Sequence, residues 1–422
     1  MSNEFNKVFE DLTKTIFSLS DKQYKKKYNK SYLIEAFESR ENQYMDSLLS
    51  DIDVYSNDDY IEEIKDKFRK LVGKSGKYKD KETIGTHPDF VHLEGTDEHE
   101  NHYIVSSFID IKNSTSIYLK TNDLVWTKTF KNTVLRVITI FVRIFDGHIH
   151  RLQGDAVFSY FGWKDKCEED AIIDSLNATS FLLWYVENIL NPQLESLQYA
   201  PLKLRAGLDF ADENEVIWSE YGFAPATEVT TTSLHTDLAA KLQNKAPSNS
   251  IMIGENIKEF LDLPEEFLEI KTYQKNYETI EDKYILEKPE KRYKMWIFKH
   301  SNYLKYFPFL HTVNFDLKCS TDNEEYYPNI YALEKKENLK YEVLHPFSVA
   351  YRGGPNIRFE WTKENRGKES KENESEGKLP ANKTFKNTAY ESTAFRGHHI
   401  MQCKILQNGR VQETLKFGIF IK

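Results

Sequence analysis

Between Tyr103 and Lys299 the spacing of apolar residues switches repeatedly between period two and period 3.6, and few folds accommodate that alternation. "YIVSSFIDI" reads as a strand, "LVWTKTFKNTVLRVITIFVRIF" as a helix, "HIHRLQGDAVFSYFG" as a hairpin and "DAIIDSLNATSFLLWYVENIL" as a second helix. Strand patterns follow at "LKLRAGLDFA" and "EVIWSEYG", a helix around "HTDLAAKLQN", and strands around "SIMIGE" and "KMWIFK". The expected architecture is an α/β sheet domain with helices on one face.

The flanks differ. Residues 1–75 read as an N-terminal helical segment, with Phe5, Val8, Leu12, Ile16 and Phe17 at helical spacing among charges. Residues 76–100 lack periodicity and are expected to be a linker, which leaves 101–300 as the α/β domain. From 301 to 422 short runs rich in Tyr, Phe, Val and Ile predict a β-rich C-terminal domain. Within it "TKENRGKESKENESEGK" is charged and of low complexity, and is expected to form a mobile loop.

Composition narrows the function classes. The 422 residues carry a net charge of −9, so the surface as a whole repels polyanions, which argues against nucleic acid as a partner. The most apolar helical run is interrupted by Arg136 and Arg143 and falls short of the ~20 residues a membrane span needs. The N-terminus lacks the basic start and apolar core of a secretory signal, so the expected location is the cytoplasm, with no membrane contact. Cys167, Cys319 and Cys403 stand far apart without metal-ligand spacing and are expected to be packing residues.

Asp110 ends its predicted strand, and Asp155 sits in the Gly154-Asp155 turn of the hairpin. Either aspartate alone fits a turn or a cap. At the ends of adjacent strands the two could hold a pair of divalent cations, which prefer hard oxygen ligands and would neutralise a triphosphate. The small polar residues after Asp110 then gain a purpose: backbone N–H groups of Lys112, Asn113 and Ser114 could cradle phosphate oxygens.

These motifs resemble the class III nucleotidyl cyclases. "FIDIKNST" is similar to their first metal-binding strand, "HIHRLQGDAVFSYFG" to the hairpin carrying the second metal aspartate, and "LKLRAGLDFA" to the strand that follows. The resemblance implies a ferredoxin-like catalytic domain, an α+β arrangement within the broader α/β class. It implies Asp110, Asp155 and the Ile111 carbonyl as ligands for two divalent cations, Mn2+ or Mg2+, with Asp110 also taking or relaying the ribose 3′-hydroxyl proton. Phe108, Lys112, Asn113, Ser114 and Thr115 would bind substrate. Arg151 and Thr230 take the two base-reading positions. The family's helix motif of Asn and, four residues on, Arg matches "TDLAAK", placing Asp237 and Lys241 as transition-state residues. Both depart from the family pattern, and Lys241 keeps the charge without the planar fork of guanidinium.

Arg151, Thr230 and "HTDLAAK", together with "NIRFEWTKEN" and "ESTAFRGHHIMQCKI", resemble the bacterial pyrimidine cyclases of antiphage defence, the Pycsar type, with their appended sensor domain. That resemblance implies a homodimer with shared sites, a cyclic nucleotide as second messenger and a separate effector that reads it. Uracil presents two carbonyl acceptors where cytosine replaces one with an amino donor, and arginine only donates. Arg151 facing O4 favours UTP, so the expected reaction is UTP to 3′,5′-cyclic UMP and diphosphate; Arg151 facing O2 would admit CTP as well, with cyclic CMP as the alternative product. Adenylate or guanylate cyclase, a nucleotide-sensing pseudo-cyclase and a polymerase-like palm are the competing readings. His87, His92, His99 and His102 could be metal ligands but lack ligand spacing.

Overall fold

The computed structural model describes residues 7–8, 10–13, 57–74, 84–114, 123–196, 200–285, 292–311, 314–344, 357–381 and 386–422. Helix α1 (Asn57–Leu71) bears out part of the expected helical segment; Phe5, Ile16, Phe17 and Thr115 lie outside the described residues. The central domain runs β1 (Ile104–Ile111), α2 (Leu124–Ile144), β2 (His148–Gln153), β3 (Ala156–Phe161), α3 (Glu168–Tyr185), β4 (Leu204–Ala211), β5 (Ile217–Phe223), β6 (Ala226–Thr232), α4 (Leu234–Lys245), β7 (Ser250–Gly254), α5 (Glu255–Phe260) and β8 (Arg292–Phe298).

The sheet is ordered β8-β7-β4-β1-β3-β2, extended beyond β8 by short strands. β1 lies antiparallel to both β3 and β4, and β4 parallel to β7. Alternation along β1 assigns its faces. Val105, Ile109 and Ile111 enter the main core with α2 and α3, while Ile104 and Phe108 join a second cluster around Phe90, Phe158, Tyr160 and Trp218.

Helices cover both faces, against the expectation of one. α4 packs on the second face because the strands beneath it carry small residues there: Ser106 bonds Thr236 (2.9 Å between hydroxyls), and Gly207 lies under the helix backbone. β5 and β6 form a hairpin that extends from this face, with Phe223 87% exposed at its end.

α1 is anchored to the main core. Phe68 meets Phe141, Phe145 and Phe181 edge-on at 5.8 to 6.4 Å. Arg69 donates to the Ile144 carbonyl at the end of α2 (2.7 Å) and to Asp146 (2.7 Å), within a buried network that includes Lys74, Lys166 and Asp174. The stretch 76–100, expected as a linker, is packed where it is described: His87, Phe90 and Leu93 are buried, and Phe90 stacks on Trp218 at 4.0 Å.

The C-terminal region is β-rich, as its residue pattern predicts, with two sheets built on β9 (Asp316–Ser320), β10 (Asn338–Leu344), β11 (Ile357–Asn365), β12 (Thr388–Ser392), β13 (Gly397–Gln407) and β14 (Arg410–Ile421). Its core is continuous with that of the central domain. Polar contacts cross the join: Asn177 of α3 donates to the Asn329 carbonyl (2.8 Å), and Asp170 accepts from Ala332 N–H (2.8 Å).

The charged stretch expected to be a mobile loop is instead ordered. It contributes to β11, a short helix at Lys368–Glu372 and a strand at Gly377–Pro380. Its charges find partners on the central domain, Arg366 with Glu266, and Lys368 with Glu259 at 2.5 Å. Low complexity hid that pairing, because charge complementarity to a distant segment leaves no local pattern. Cys319 and Cys403 pack in the core, and no helix among the described residues is long and apolar enough to cross a membrane.

Candidate active site

The end of β1 brings the two aspartates together. Ladder pairing sets Asp110 opposite Ala156, so the Gly154-Asp155 turn delivers Asp155 beside it, with Gly154 supplying the positive φ (+66°). The two carboxyls lie close enough for each to act on the other's charge. Burial pushes the Asp110 pKa up and the neighbouring Asp155 charge adds to that, while Arg205 opposes it. Two carboxylates, with the Ile111 carbonyl if it joins them, could offer only oxygen donors, which suits Mg2+ or Mn2+ rather than a soft metal.

Two residues that motif reading missed hold Asp110 in place. Its Oδ2 accepts from Arg205 Nε (3.0 Å) and Nη2 (2.7 Å), and from Gln243 Nε2 (3.0 Å). Arg205 was accessible to sequence reasoning, since in "LRAGLDFA" Arg205, Gly207 and Asp209 alternate with Leu204, Ala206 and Leu208 and so share the face of Asp110. Gln243 carried no comparable signal.

The expected phosphate cradle is smaller than the sequence implied. Lys112 N–H donates to the Lys203 carbonyl (2.8 Å), because the β1–β4 ladder runs one residue past the strand end; its amide is therefore withdrawn from a phosphate role. Asn113 turns the chain with φ of +59°, and Ser114 is buried. Phe108, two residues before Asp110, stacks on Phe158 at 4.2 Å and stays partly exposed on the same face.

Arg151 reaches this face through a β-bulge. The β2–β3 register slips between Ile149 and Arg151, so Arg151 pairs with Phe158 rather than with Val157, whose side chain enters the main core. The extra residue, His150, thereby turns Arg151 outward. Arg151 forms an ion pair with Glu228 of β6, a residue not singled out from sequence. Burial pushes the His150 pKa down to about 4, so a neutral ring lies beside the guanidinium. Thr230 is turned inward, its hydroxyl 3.1 Å from that of buried Tyr160, which Thr231 also meets at 2.9 Å.

α4 starts at Ser233, whose hydroxyl accepts from His235 N–H (3.1 Å). His235, Leu238, Ala239, Leu242 and Gln243 are buried on its inner face. Asp237 and Lys241, four residues apart, lie on the opposite side at helical periodicity. Gln243 thus touches Asp110 of its own chain, whereas Asp237 and Lys241 project away from that sheet. His235 is buried against Asp209 (Nδ1 to Oδ2, 2.9 Å), which also accepts from Tyr293 OH (2.8 Å). Asn256 and Glu215 face its other nitrogen at 3.1 and 3.4 Å.

The four histidines near residue 100 do not converge: His87 is buried against Trp163, His92 bonds Glu100 (3.0 Å), and His102 meets the Gly162 carbonyl (3.3 Å). Among the described residues no group of three or more His, Cys, Asp or Glu side chains could hold a metal.

Comparison with known proteins adds three likenesses. Residues 294–422 match the family described as the Adenylyl/Guanylyl and SMODS C-terminal sensor domain. A protein named cytidylate cyclase from Staphylococcus aureus is 38% identical over 377 residues, covering 84% of this chain and 86% of that protein. Another cytidylate cyclase, from Escherichia coli, is 32% identical over 416 residues, covering 86% and 87% respectively. Among solved structures, the adenylyl cyclase CyaB from P. aeruginosa aligns with 48% of this chain and 95% of its own, at 15% identity and a TM-score of 0.39.

Proposed function

The chain belongs to the class III pyrimidine nucleotidyl cyclases, the family of the cytidylate cyclases it matches, and from that premise we propose that it converts CTP to 3′,5′-cyclic CMP and diphosphate. The observation that carries the chemistry is the pairing of Asp110 with Asp155, a like-charge pair that a bound cation would stabilise. Asp110, Asp155 and the Ile111 carbonyl would hold two divalent cations, Mn2+ or Mg2+, which would neutralise the triphosphate and acidify the ribose 3′-hydroxyl. Arg205 and Gln243 fix the Asp110 carboxylate, which takes the proton as the 3′-oxygen attacks the α-phosphorus in line. The bond from the α-phosphorus to the bridging oxygen breaks and diphosphate leaves. Asn113, Ser114 and Thr115 contact the triphosphate.

The active unit is a homodimer. Asp237 and Lys241 project from the outer face of α4, so they serve the site of a second copy, where Lys241 supports charge developing on the phosphate. Exposed Leu152, Tyr221, Phe223 and Leu234 provide apolar surface for that contact. Arg151 read alone favoured UTP; the cytidylate relatives and the Glu228 partner of Arg151 support CTP instead. Residues 101–300 form the catalytic domain and 301–422 the sensor, whose shared core with the cyclase gives a stimulus a rigid path to the site. The setting is cytoplasmic antiphage defence, with a separate effector reading the product.

Incubating the purified protein with an equimolar mixture of the four ribonucleoside triphosphates and manganese tests this reading. Cyclic CMP and diphosphate as the dominant products are expected. A cyclic purine, a linear oligonucleotide or no product at all would refute it.

A further inference from the structure

Arg151 and Glu228 come from two separate hairpins and meet on the face that carries the aspartates. Their side chains are 42% and 45% exposed, and an ion pair so open to water contributes only about 0–1 kcal/mol to folding. Stability does not account for a bulge that turns an arginine out of the core to meet a carboxylate.

We infer that Glu228 is the residue that selects cytosine, by presenting together with Arg151 an edge equivalent to the hydrogen-bonding edge of guanine; the inference rests on the reading of this chain as a pyrimidine cyclase. A carboxylate accepts and a guanidinium donates twice from its fork, so the bonded pair displays acceptor, donor, donor in a row. Cytosine presents donor, acceptor, acceptor at N4, N3 and O2, the complement at every position. Uracil presents acceptor, donor, acceptor at O4, N3 and O2. Set against the same row it meets two like contacts, an acceptor facing an acceptor and a donor facing a donor, and reversing the row leaves two as well.

Arg151 supplies one of these mismatches, its donor facing the N3–H of uracil, while O2 is common to both bases. Glu228 supplies the other, because its carboxylate finds a donor at C4 in cytosine only. Unsatisfied polar contacts of this kind let a site reject a close analogue far more strongly than a difference in shape does. Thr230, turned toward Tyr160, is left a supporting part in holding the strand that carries Glu228.

The experiment is competition between CTP and UTP with the full-length protein and manganese, comparing wild type with Glu228→Gln and Glu228→Ala. The ratio of kcat/KM for CTP over UTP is expected to fall about tenfold or more in both variants, in keeping with one lost base-edge contact. Glutamine can offer its amide NH2 to O4, so UTP turnover by Glu228→Gln should hold steady or rise. A structural role would depress both substrates equally, and an unchanged ratio in active variants overturns the inference while leaving the cyclase reading intact. A wild-type enzyme that prefers UTP overturns it as well. A wild-type protein that cyclises neither pyrimidine removes the functional reading, and this inference with it.

Discussion

Gly207 of β4 lies directly beneath the backbone of α4, so that a β-carbon placed on it would stand 2.2 Å from both the Ala239 carbonyl oxygen and the Gln243 amide nitrogen. Both neighbours are helix backbone and cannot step aside without moving the helix. Gly207→Val should therefore lift α4, break the Gln243 to Asp110 bond and misplace Asp237 and Lys241. The expected cost is about 1–3 kcal/mol of stability. A thermal melt several degrees below wild type, with turnover lowered at saturating CTP, is the predicted outcome.

Asp155→Asn removes one charge from the proposed cation-binding pair and, because Asp155 is only half-buried in a hairpin turn, should spare the fold. Activity is expected to drop at least about a hundredfold, since a catalytic metal contributes several kcal/mol of transition-state stabilisation. The check is turnover at saturating manganese beside a thermal melt. Near-normal turnover would remove Asp155 from the metal site.

His235 makes stability depend on pH. Burial opposes its charge, but the bond to Asp209, the Asp209 charge and Glu215 outweigh burial and raise its pKa above the ordinary value. Asp209, Glu215, Tyr293 and Asn256 are the polar groups facing it. A raised folded-state pKa gives a contribution fully present below about pH 6.5 and lost as pH rises through the folded value. Subtracting the Tm of His235→Gln from that of wild type across pH 5.5 to 9 should leave a difference that shrinks with rising pH. A constant difference would show that folding leaves the pKa of His235 unchanged.

The strands that frame the site were readable because each carries a local pattern: "FIDI" ends on a carboxylate, and a Gly-Asp turn closes the hairpin. The α4 periodicity was equally plain, with Leu238, Ala239 and Leu242 on one side and Asp237 and Lys241 on the other. What escaped the sequence was decided by long-range geometry. A one-residue bulge at His150 sets the direction of Arg151, and no local signal announces it. The Glu228 partner comes from a strand 77 residues away. The second helix-covered face depended on Gly207 and Ser106 being small where α4 arrives, and small residues in strands carry many meanings.

If each site is assembled from two chains as proposed, with Asp155 on one and Lys241 on the other, dimers that mix two defective chains regain one complete site. Co-expressing Asp155→Ala and Lys241→Ala chains under two different tags, then purifying the mixed dimer through both, puts both defects in one site and leaves the other whole. Each parent homodimer has no complete site. The mixed dimer should cyclise CTP at about half the wild-type rate per dimer, the share expected of one intact site in a twofold assembly. A mixed dimer as inactive as its parents would contradict the account.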